Sequence, residues 1–239
     1  MKFRLVTTVW IKKYTAYLKL EKSLSENTVS SYLGDLKKLV DFVGEDEDIS
    51  KLKASDLDNF LSQLRDLGIQ ARSQARILSG IKSFFRFLIM IDAIESDPTE
   101  KIDSPRLGIH LPEVLSLDEI DAIITCSDLS KKEGQRNKAM LETLYSCGLR
   151  VSELVGLKLS HCYFSDEYIM VEGKGSKQRF VPVSQRAIRE IGLWLEDRKA
   201  LDIKRGNEDF VFLNRNGYSL TRSMVFRIVK YQAAMAGIR

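Results

Sequence analysis

Apolar residues recur at helical spacing along the first part of the chain. The first run contains Val9, Trp10, Tyr14, Tyr17 and Leu18. A polar break over residues 23–26 precedes a second run, which predicts a second helix. The inner face of that helix would carry Val29, Tyr32, Leu33, Leu36, Leu39, Val40 and Val43.

Two more helices are predicted before the pattern changes. Ser55 is a suitable N-cap for a third helix over residues 56–67, which Gly68 would end. A fourth helix is predicted over residues 73–91. Together these patterns predict an all-helical N-terminal domain over residues 1–99.

A proline-rich segment interrupts the regular pattern after the fourth helix. Three of the four prolines in the chain fall in it, at Pro98, Pro105 and Pro112. Proline fixes its own φ angle and lacks a backbone donor, so it breaks helices and strands. We therefore predict a linker over residues 100–112 and a second domain over residues 113–239.

The second domain has a mixed pattern. A capping box at Ser116–Glu119 begins a helix, and further helices are predicted over 135–147, from 151, over 185–200 after Ser184, and over 222–236 after Thr221. Two β-rich runs, at 168–171 and 179–183, flank a Gly-Lys-Gly turn and predict a hairpin. The fold class predicted for the chain is mainly α with a small β-hairpin or sheet, that is, α+β.

Composition narrows the class of protein. The chain is 44% hydrophobic, but no segment approaches the roughly 20 apolar residues that span a bilayer. Three cysteines without CxxC spacing and two histidines argue against a zinc site and fit a reducing compartment. We expect a cytoplasmic protein without a metal or other cofactor. The net charge of +4 permits nucleic-acid binding without requiring it.

Basic residues on the predicted fourth helix, together with Arg72 just before it, share one side. Arg72, Arg76, Lys82 and Arg86 project opposite the apolar face. A row of cations along a helix can follow the phosphates of a nucleic acid. An ordinary solvated helix surface explains the same pattern, so both interpretations stay open.

Arg150 follows Gly148 and Leu149 at the end of an apolar helix. Gly148 suits a left-handed C-cap, and the turn after it can direct the Arg150 side chain into a cleft. A guanidinium there would offer a planar fork to two phosphate oxygens. From the residues alone, a surface arginine paired with Glu142 or Glu153 is the simpler interpretation.

Lys174 lies between two glycines in the predicted hairpin turn. Glycine allows a ligand to approach the backbone closely, and a lysine there can protonate a leaving oxygen. The segment lacks the spacing of a Walker loop. Lys177 and Arg179 extend the positive charge along the hairpin. A ribbon of this kind can enter a DNA groove, although many basic hairpins have no such role.

Segments along nearly the whole chain share their order and spacing with one known family. They are Arg72-Ser73-Gln74-Ala75-Arg76, Asn137-Lys138-Ala139-Met140-Leu141, Leu149-Arg150-Val151-Ser152-Glu153-Leu154, Gly173-Lys174-Gly175 and Arg179-Phe180-Val181-Pro182-Val183. In this arrangement the chain resembles the tyrosine site-specific recombinases or integrases, especially the Xer type that resolves chromosome dimers.

The resemblance implies both an architecture and a chemistry. A helical SAM-like core-binding domain and a catalytic domain would close around duplex DNA, with further recombinase subunits completing a tetramer on paired sites. A tyrosine attacks the scissile phosphate and forms a 3′-phosphotyrosyl link, without metal or ATP. By the match, Arg150 is the first of two arginines that neutralise the phosphate, Lys174 protonates the leaving 5′-oxygen, and Glu153 orients the site.

The resemblance also implies groups that these 239 residues do not supply. The family's His-x-x-Arg motif and nucleophilic tyrosine lie beyond the position that matches Arg239. We therefore expect a catalytic domain lacking its C-terminal part, a monomer in solution, and a chain that binds DNA without cutting it. The residues expected to contact DNA are Arg72, Arg76, Lys82, Arg86, Lys177, Arg179 and Arg222.

Two other functions stay open at this point. The first is a non-enzymatic DNA-binding protein, or decoy, that has lost its active site and occupies recombination sites. The second is a helical adaptor whose basic face meets acidic protein partners. Affinity for duplex DNA at modest salt separates the adaptor from the other two functions.

Overall fold

The computed structural model describes residues 2–44, 47–108, 111, 114–173, 175 and 177–238, with side chains from residue 7 onward. The chain forms two compact units, residues 1–111 and residues 112–239. Of the predicted linker, residues 109, 110 and 112 lie outside the described residues. Within the described ranges, no helix is both long enough and apolar enough to cross a lipid bilayer.

The first unit is helical, as its apolar periodicity predicts. Its helices are α1 (Lys2–Ala16), α2 (Glu26–Val43), α3 (Ala54–Asp66) and α4 (Ala71–Met90). A π-helical turn, Tyr17–Glu21, extends α1 to the polar break. Ser25 then caps α2, because its hydroxyl accepts a hydrogen bond from the backbone N–H of Thr28.

Two predicted helix starts are wrong by a few residues. Helix α3 begins at Ala54, and the residue at its N-cap position is Lys53 rather than Ser55. The Asp56 carboxylate accepts the Lys53 backbone N–H at 2.8 Å, so the acid in the first turn replaces a hydroxyl cap. Helix α4 begins at Ala71, which places Arg72 inside its first turn rather than ahead of it.

The core of the first unit is rich in aromatic side chains. Tyr14 is fully buried and packs edge-on against Phe84, with ring centroids 5.3 Å apart. Its hydroxyl bonds Ser83 at 2.9 Å, which satisfies the polar tip of a buried ring. Each fully buried side chain of this size contributes roughly 1.5–3 kcal/mol. This packing fixes α4 against α1 and sets which face of α4 stays exposed.

The second unit combines helices with a three-stranded antiparallel sheet. The helices are α5 (Leu117–Thr125), α6 (Gly134–Cys147), α7 (Val151–Val155), α8 (Gln185–Arg198) and α9 (Arg222–Met235). The strands are β1 (Cys162–Tyr163), β2 (Tyr168–Glu172) and β3 (Gln178–Pro182). The predicted hairpin is confirmed as the β2–β3 pair, and β1 is an addition that the sequence pattern did not indicate.

Local capping signals in the second unit are confirmed. Ser116 and Glu119 form the predicted capping box, and the hydroxyls of Ser184 and Thr221 cap α8 and α9. Gly148 ends α6 with φ 56° and ψ 40°, the left-handed conformation that glycine adopts without strain. The mainly α architecture with a small antiparallel sheet is therefore as predicted.

Candidate functional site

The junction between α6 and α7 exposes Arg150. After the left-handed turn at Gly148, the Leu149 side chain is buried and its backbone N–H bonds the Leu144 carbonyl at 3.2 Å. Arg150 follows with extended backbone angles as the N-cap residue of α7. Its side chain is 72% exposed. The apolar anchor before it and the helix after it hold this arginine at a fixed place on the surface.

A buried carboxylate lies directly beneath Arg150. The Glu153 side chain is 1% exposed. Its Oε2 accepts the Arg150 backbone N–H at 2.8 Å, and its Oε1 accepts Arg150 Nη1 at 2.9 Å. The sequence left open that Arg150 is a surface arginine paired with Glu142 or Glu153, and the ion pair with Glu153 is present. It uses one edge of the guanidinium and leaves most of that group accessible.

Arg179 reaches the same carboxylate from strand β3. Arg179 Nη2 donates to Glu153 Oε2 at 2.8 Å. In the sheet, Arg179 is opposite Val171, whose side chain is buried. Because side chains alternate along a strand, Arg179 points to the core side of the sheet, whereas Phe180 points away from it. The structure therefore groups Arg150, Glu153 and Arg179 in one cluster.

Electrostatics in this cluster favour a bound anion. Burial by itself would raise the pKa of the Glu153 carboxyl, but hydrogen bonds from the Arg150 backbone and from both arginine side chains lower the pKa overall. Glu153 is therefore ionised at neutral pH. One negative and two positive charges give these three residues a net charge of +1, and Arg150 and Arg179 keep guanidinium donors that no described contact uses. A group with this charge and these donors has the chemistry to bind an anion.

Lys174 and Ser176 lie outside the described residues, but Gly173, Gly175 and the strands on either side are described. The Gly173 N–H bonds the Lys177 carbonyl at 2.8 Å and closes the turn, in which Gly175 has φ 76°. A Cβ atom on Gly173 would lie 3.6 Å from Glu153 Oε1. The Gly173 end of the hairpin turn is thus adjacent to the arginine cluster.

Two of the four cations predicted for the basic face of α4 have partners within the first unit. Arg76 donates to both oxygens of Asp35, at 2.6 and 2.8 Å, and Lys82 Nζ donates to the Ile102 carbonyl at 2.7 Å. Arg72 and Arg86 are exposed. Two of the four cations therefore also stabilise the first unit.

The remaining predicted DNA contacts belong to the second unit. Lys177 is exposed at the base of the hairpin turn, and Arg222 is exposed in the first turn of α9. Neither is brought into the Arg150 cluster by a described contact. Among the residues that the structure describes, no group of His, Cys, Asp and Glu side chains is arranged to hold a metal ion.

Asp35 is a residue of the first unit that the sequence pattern did not single out. It is buried on α2 beneath the basic face of α4. One signal could have identified it, because Asp35 falls at helical spacing between the inward-facing Tyr32 and Leu39. A carboxylate on an apolar face needs a partner, and Arg76 supplies it.

Both units match known protein families. Residues 113–239 match the phage integrase family, and residues 11–90 match the N-terminal SAM-like domain of phage integrases. The chain is 36% identical over 232 residues to the tyrosine recombinase XerD of Staphylococcus aureus, covering 96% of the chain and 78% of that relative. It is 35% identical over 231 residues to XerD of Staphylococcus epidermidis, covering 95% of the chain and 78% of that protein.

Solved structures share the fold. A lambda integrase dimer bound to a COC' core site matches with a TM-score of 0.74 at 18% identity, over 97% of this chain and 82% of that one. The XerH site-specific recombinase, in a pre-cleavage complex with its difH substrate, matches with a TM-score of 0.74 at 19% identity. That match covers 98% of this chain and 80% of the XerH chain.

Proposed function

The chain belongs to the phage integrase family of tyrosine recombinases, and we propose that it binds duplex DNA with Arg150 on a phosphate, in site-specific recombination by DNA breaking and rejoining. The observation that carries this proposal is the Arg150–Glu153–Arg179 cluster. It presents an exposed guanidinium that is fixed from below by a buried carboxylate. The cluster falls in the segments that match the family.

The chemistry of the proposed site follows from these groups. Arg150 uses its free N–H donors to bind non-bridging phosphate oxygens, where negative charge develops during attack. Glu153 orients Arg150, and Lys174 in the hairpin turn protonates the leaving 5′-oxygen. In the recombinase route a tyrosine takes the phosphate and forms a 3′-phosphotyrosine. The phosphodiester energy is conserved in that link, so rejoining needs no ATP.

Further cations extend the proposed DNA contact beyond the scissile phosphate. Arg72 and Arg86 on α4, Lys177 in the hairpin and Arg222 on α9 are exposed and free to meet the backbone of a duplex. Arg76 and Lys82 are assigned phosphate contacts as well, although each also has a partner within its own unit. Arg179, a DNA contact predicted from the sequence, binds Glu153 and is instead assigned a role through Arg150. Phosphate contacts of this kind position a protein on DNA without reading its sequence.

Assembly with further recombinase subunits is part of the proposal. A lambda integrase tetramer bound to a Holliday junction shares the fold of this chain, with a TM-score of 0.74 at 18% identity. We assign this chain the same kind of partner, further subunits on paired DNA sites. We propose a reducing, cytoplasmic compartment, which the three free cysteines and the proposed DNA substrate support.

Residues 1–239 are proposed to bind DNA without cleaving it. The third residue after His110 is Glu113 and the third after His161 is Phe164, so neither histidine forms the His-x-x-Arg motif that supplies the second arginine. Loss of one donor to the developing oxyanion typically costs about 10²–10³ in rate. The alternative function, a binding-only protein that occupies recombination sites, makes the same prediction for this chain.

Two measurements test this function. Fluorescence anisotropy with a labelled DNA duplex should show binding that weakens steeply with added salt, because phosphate contacts release counterions. Denaturing electrophoresis of the same mixture should show no covalent protein–DNA species. Absence of duplex binding at low salt would overturn the DNA-binding proposal, and a covalent adduct would overturn the proposed inactivity of these residues.

A further inference from the structure

Arg179 shares its carboxylate partner with Arg150, and we propose that Arg179 acts on DNA through Arg150, as a positioning residue. This role differs from a groove contact made by the basic hairpin. The inference rests on the proposed function, in which Arg150 binds a phosphate of the DNA. In this role Arg179 controls both the orientation of the Arg150 side chain and the charge around that side chain.

Strand geometry separates Arg179 from the exposed side of the hairpin. The β2–β3 register pairs Val171 with Arg179 and Ile169 with Val181. All three of the apolar residues in these pairs are buried, so Arg179 lies on the core side of the sheet at its open end. Phe180, on the opposite side, is 67% exposed. The Arg179 side chain is 43% exposed, so its contact with Glu153 lies at the rim of the cluster.

The hydrogen bonds of Glu153 show what Arg179 does there. From the described residues, Oε1 accepts the Arg150 side chain alone, at 2.9 Å, whereas Oε2 accepts the Arg150 backbone N–H and Arg179 Nη2, both at 2.8 Å. Arg179 therefore occupies the oxygen that Arg150 would need for a two-point contact. With that oxygen taken, Arg150 is held through a single side-chain nitrogen.

The remaining donors of Arg150 are preserved by this arrangement. A guanidinium carries five N–H groups, and a bidentate carboxylate contact occupies two of them along one edge. Removal of Arg179 would leave Oε2 with the Arg150 backbone N–H as its described donor, so its second lone pair would be open to the Arg150 side chain, which could then bind both oxygens. The same change would lower the net charge of the cluster from +1 to zero. Both effects withdraw Arg150 from a phosphate.

A double-mutant cycle separates a positioning residue from a direct contact. The affinities of Arg150→Ala, Arg179→Gln and the double variant for a fluorescein-labelled DNA duplex are compared with wild type. We expect Arg179→Gln to weaken DNA binding about fivefold or more, a loss within the range of interaction energies between residues in contact. In the Arg150→Ala background, Arg179→Gln should have no further effect. Arg179→Lys, which can still bind Glu153, should restore binding close to wild type.

The control for lost charge is Arg205→Gln. Arg205 is exposed in the loop between α8 and α9, so this variant removes the same charge away from the cluster. Its effect on affinity should be small, and the same with or without Arg150. An effect of Arg179→Gln that matched the Arg205→Gln effect would mean that general charge, rather than positioning, explains the result, and would overturn the inference.

Other outcomes separate a failure of the positioning role of Arg179 from a failure of the proposed DNA-binding function. An equal loss from Arg179→Gln with and without Arg150 would show that Arg179 contacts DNA itself, which overturns the inference and leaves the function standing. Wild-type affinity for Arg150→Ala would overturn both. If Arg179→Gln does not fold, the same substitution is made in the Glu153→Gln variant, because no buried charge then loses its partner. If Arg179 is a positioning residue, its substitution causes no additional loss of DNA affinity in that variant. If Arg179 contacts DNA directly, its substitution causes an additional loss.

Discussion

The guanidinium of Arg76 binds both carboxylate oxygens of Asp35, at 2.6 and 2.8 Å, and so joins α4 to α2. Asp35 is 1% exposed, whereas Arg76 is 51% exposed. The pair therefore buries the acid and keeps one face of the arginine at the surface. It fixes a cation in the middle of the basic face of α4, which is where the proposed DNA contact needs one.

Loss of this pair should destabilise the first unit. Breaking a buried ion pair by removing one partner typically costs 3–5 kcal/mol, and the exposure of Arg76 reduces this to about 2 kcal/mol. We expect Arg76→Gln to lower the free energy of unfolding by that amount in urea titrations. Lys38→Gln is the control, because Lys38 contacts the same carboxylate at 3.3 Å from an exposed position. Equal effects of the two variants would contradict this account of Asp35.

Gly80 permits the close approach of α4 to Asp35. A Cβ atom there would lie 3.0 Å from Asp35 Oδ2 and 3.3 Å from Asp35 Cβ. We expect Gly80→Ala to destabilise the chain by about 1–2 kcal/mol, because the contact outweighs the gain in helix propensity.

A matched alanine substitution in α2 should have the opposite sign. At Gly34 a Cβ atom would meet no other atom within 4 Å. Gly34→Ala should therefore stabilise the chain by about 0.5–1 kcal/mol through reduced backbone entropy in the unfolded state. Urea titrations measure both variants. Stabilisation by Gly80→Ala would show that α2 and α4 do not pack as closely as described.

The stability contributed by Glu153 should depend on pH. Its pKa is lowered in the folded state from a usual value of 4.5, so its contribution is fully present above that pH and is lost as the pH falls through the lowered value. We expect the advantage of wild type over Glu153→Gln to shrink as the pH falls below about 4.5. Chemical denaturation from neutral to acid pH measures this difference.

Glu142 provides a control of opposite sign. Burial raises its pKa in spite of the nearby Arg186. Its ionised form is therefore disfavoured in the folded state, and wild type should gain stability relative to Glu142→Gln as the pH falls through the raised value towards 4.5. The same pH trend for the Glu142 and Glu153 variants would contradict the assigned directions.

The exposed cations of α4 should carry salt-dependent DNA binding. Each phosphate contact contributes roughly 0.9 to the slope of log affinity against log salt concentration. The double variant Arg72→Gln, Arg86→Gln should therefore reduce that slope by about two. Arg205→Gln is the control for lost charge. An unchanged slope in the double variant would contradict the proposed contact between α4 and DNA.

Signals that are local in sequence predicted local structure well. The caps at Ser116, Ser184 and Thr221 and the turn at Gly148 involve groups a few residues apart, so their chemistry can be recognised without the fold. The Ser55 cap failed because a neighbouring acid, Asp56, served the helix start instead. Competition between two adjacent capping residues depends on geometry that a pattern does not contain.

Partnerships between distant segments could not be predicted in this way. Asp35 and Arg76 are joined by the packing of α2 on α4, and Glu153 and Arg179 by the position of the hairpin beside α7. The sequence pattern indicated a basic face and a basic hairpin. It could not show which of those cations also bind a buried acid, because that depends on which helix faces meet.

The most direct test of the account is the affinity of Arg150→Ala for duplex DNA, measured beside wild type and Arg205→Gln at the same salt concentration. A charged hydrogen bond contributes about 1.5–3 kcal/mol, so the account predicts that Arg150→Ala binds roughly tenfold more weakly or worse. Arg205→Gln should bind nearly as wild type does. Equal affinities for Arg150→Ala and Arg205→Gln would contradict the claim that Arg150 binds a DNA phosphate.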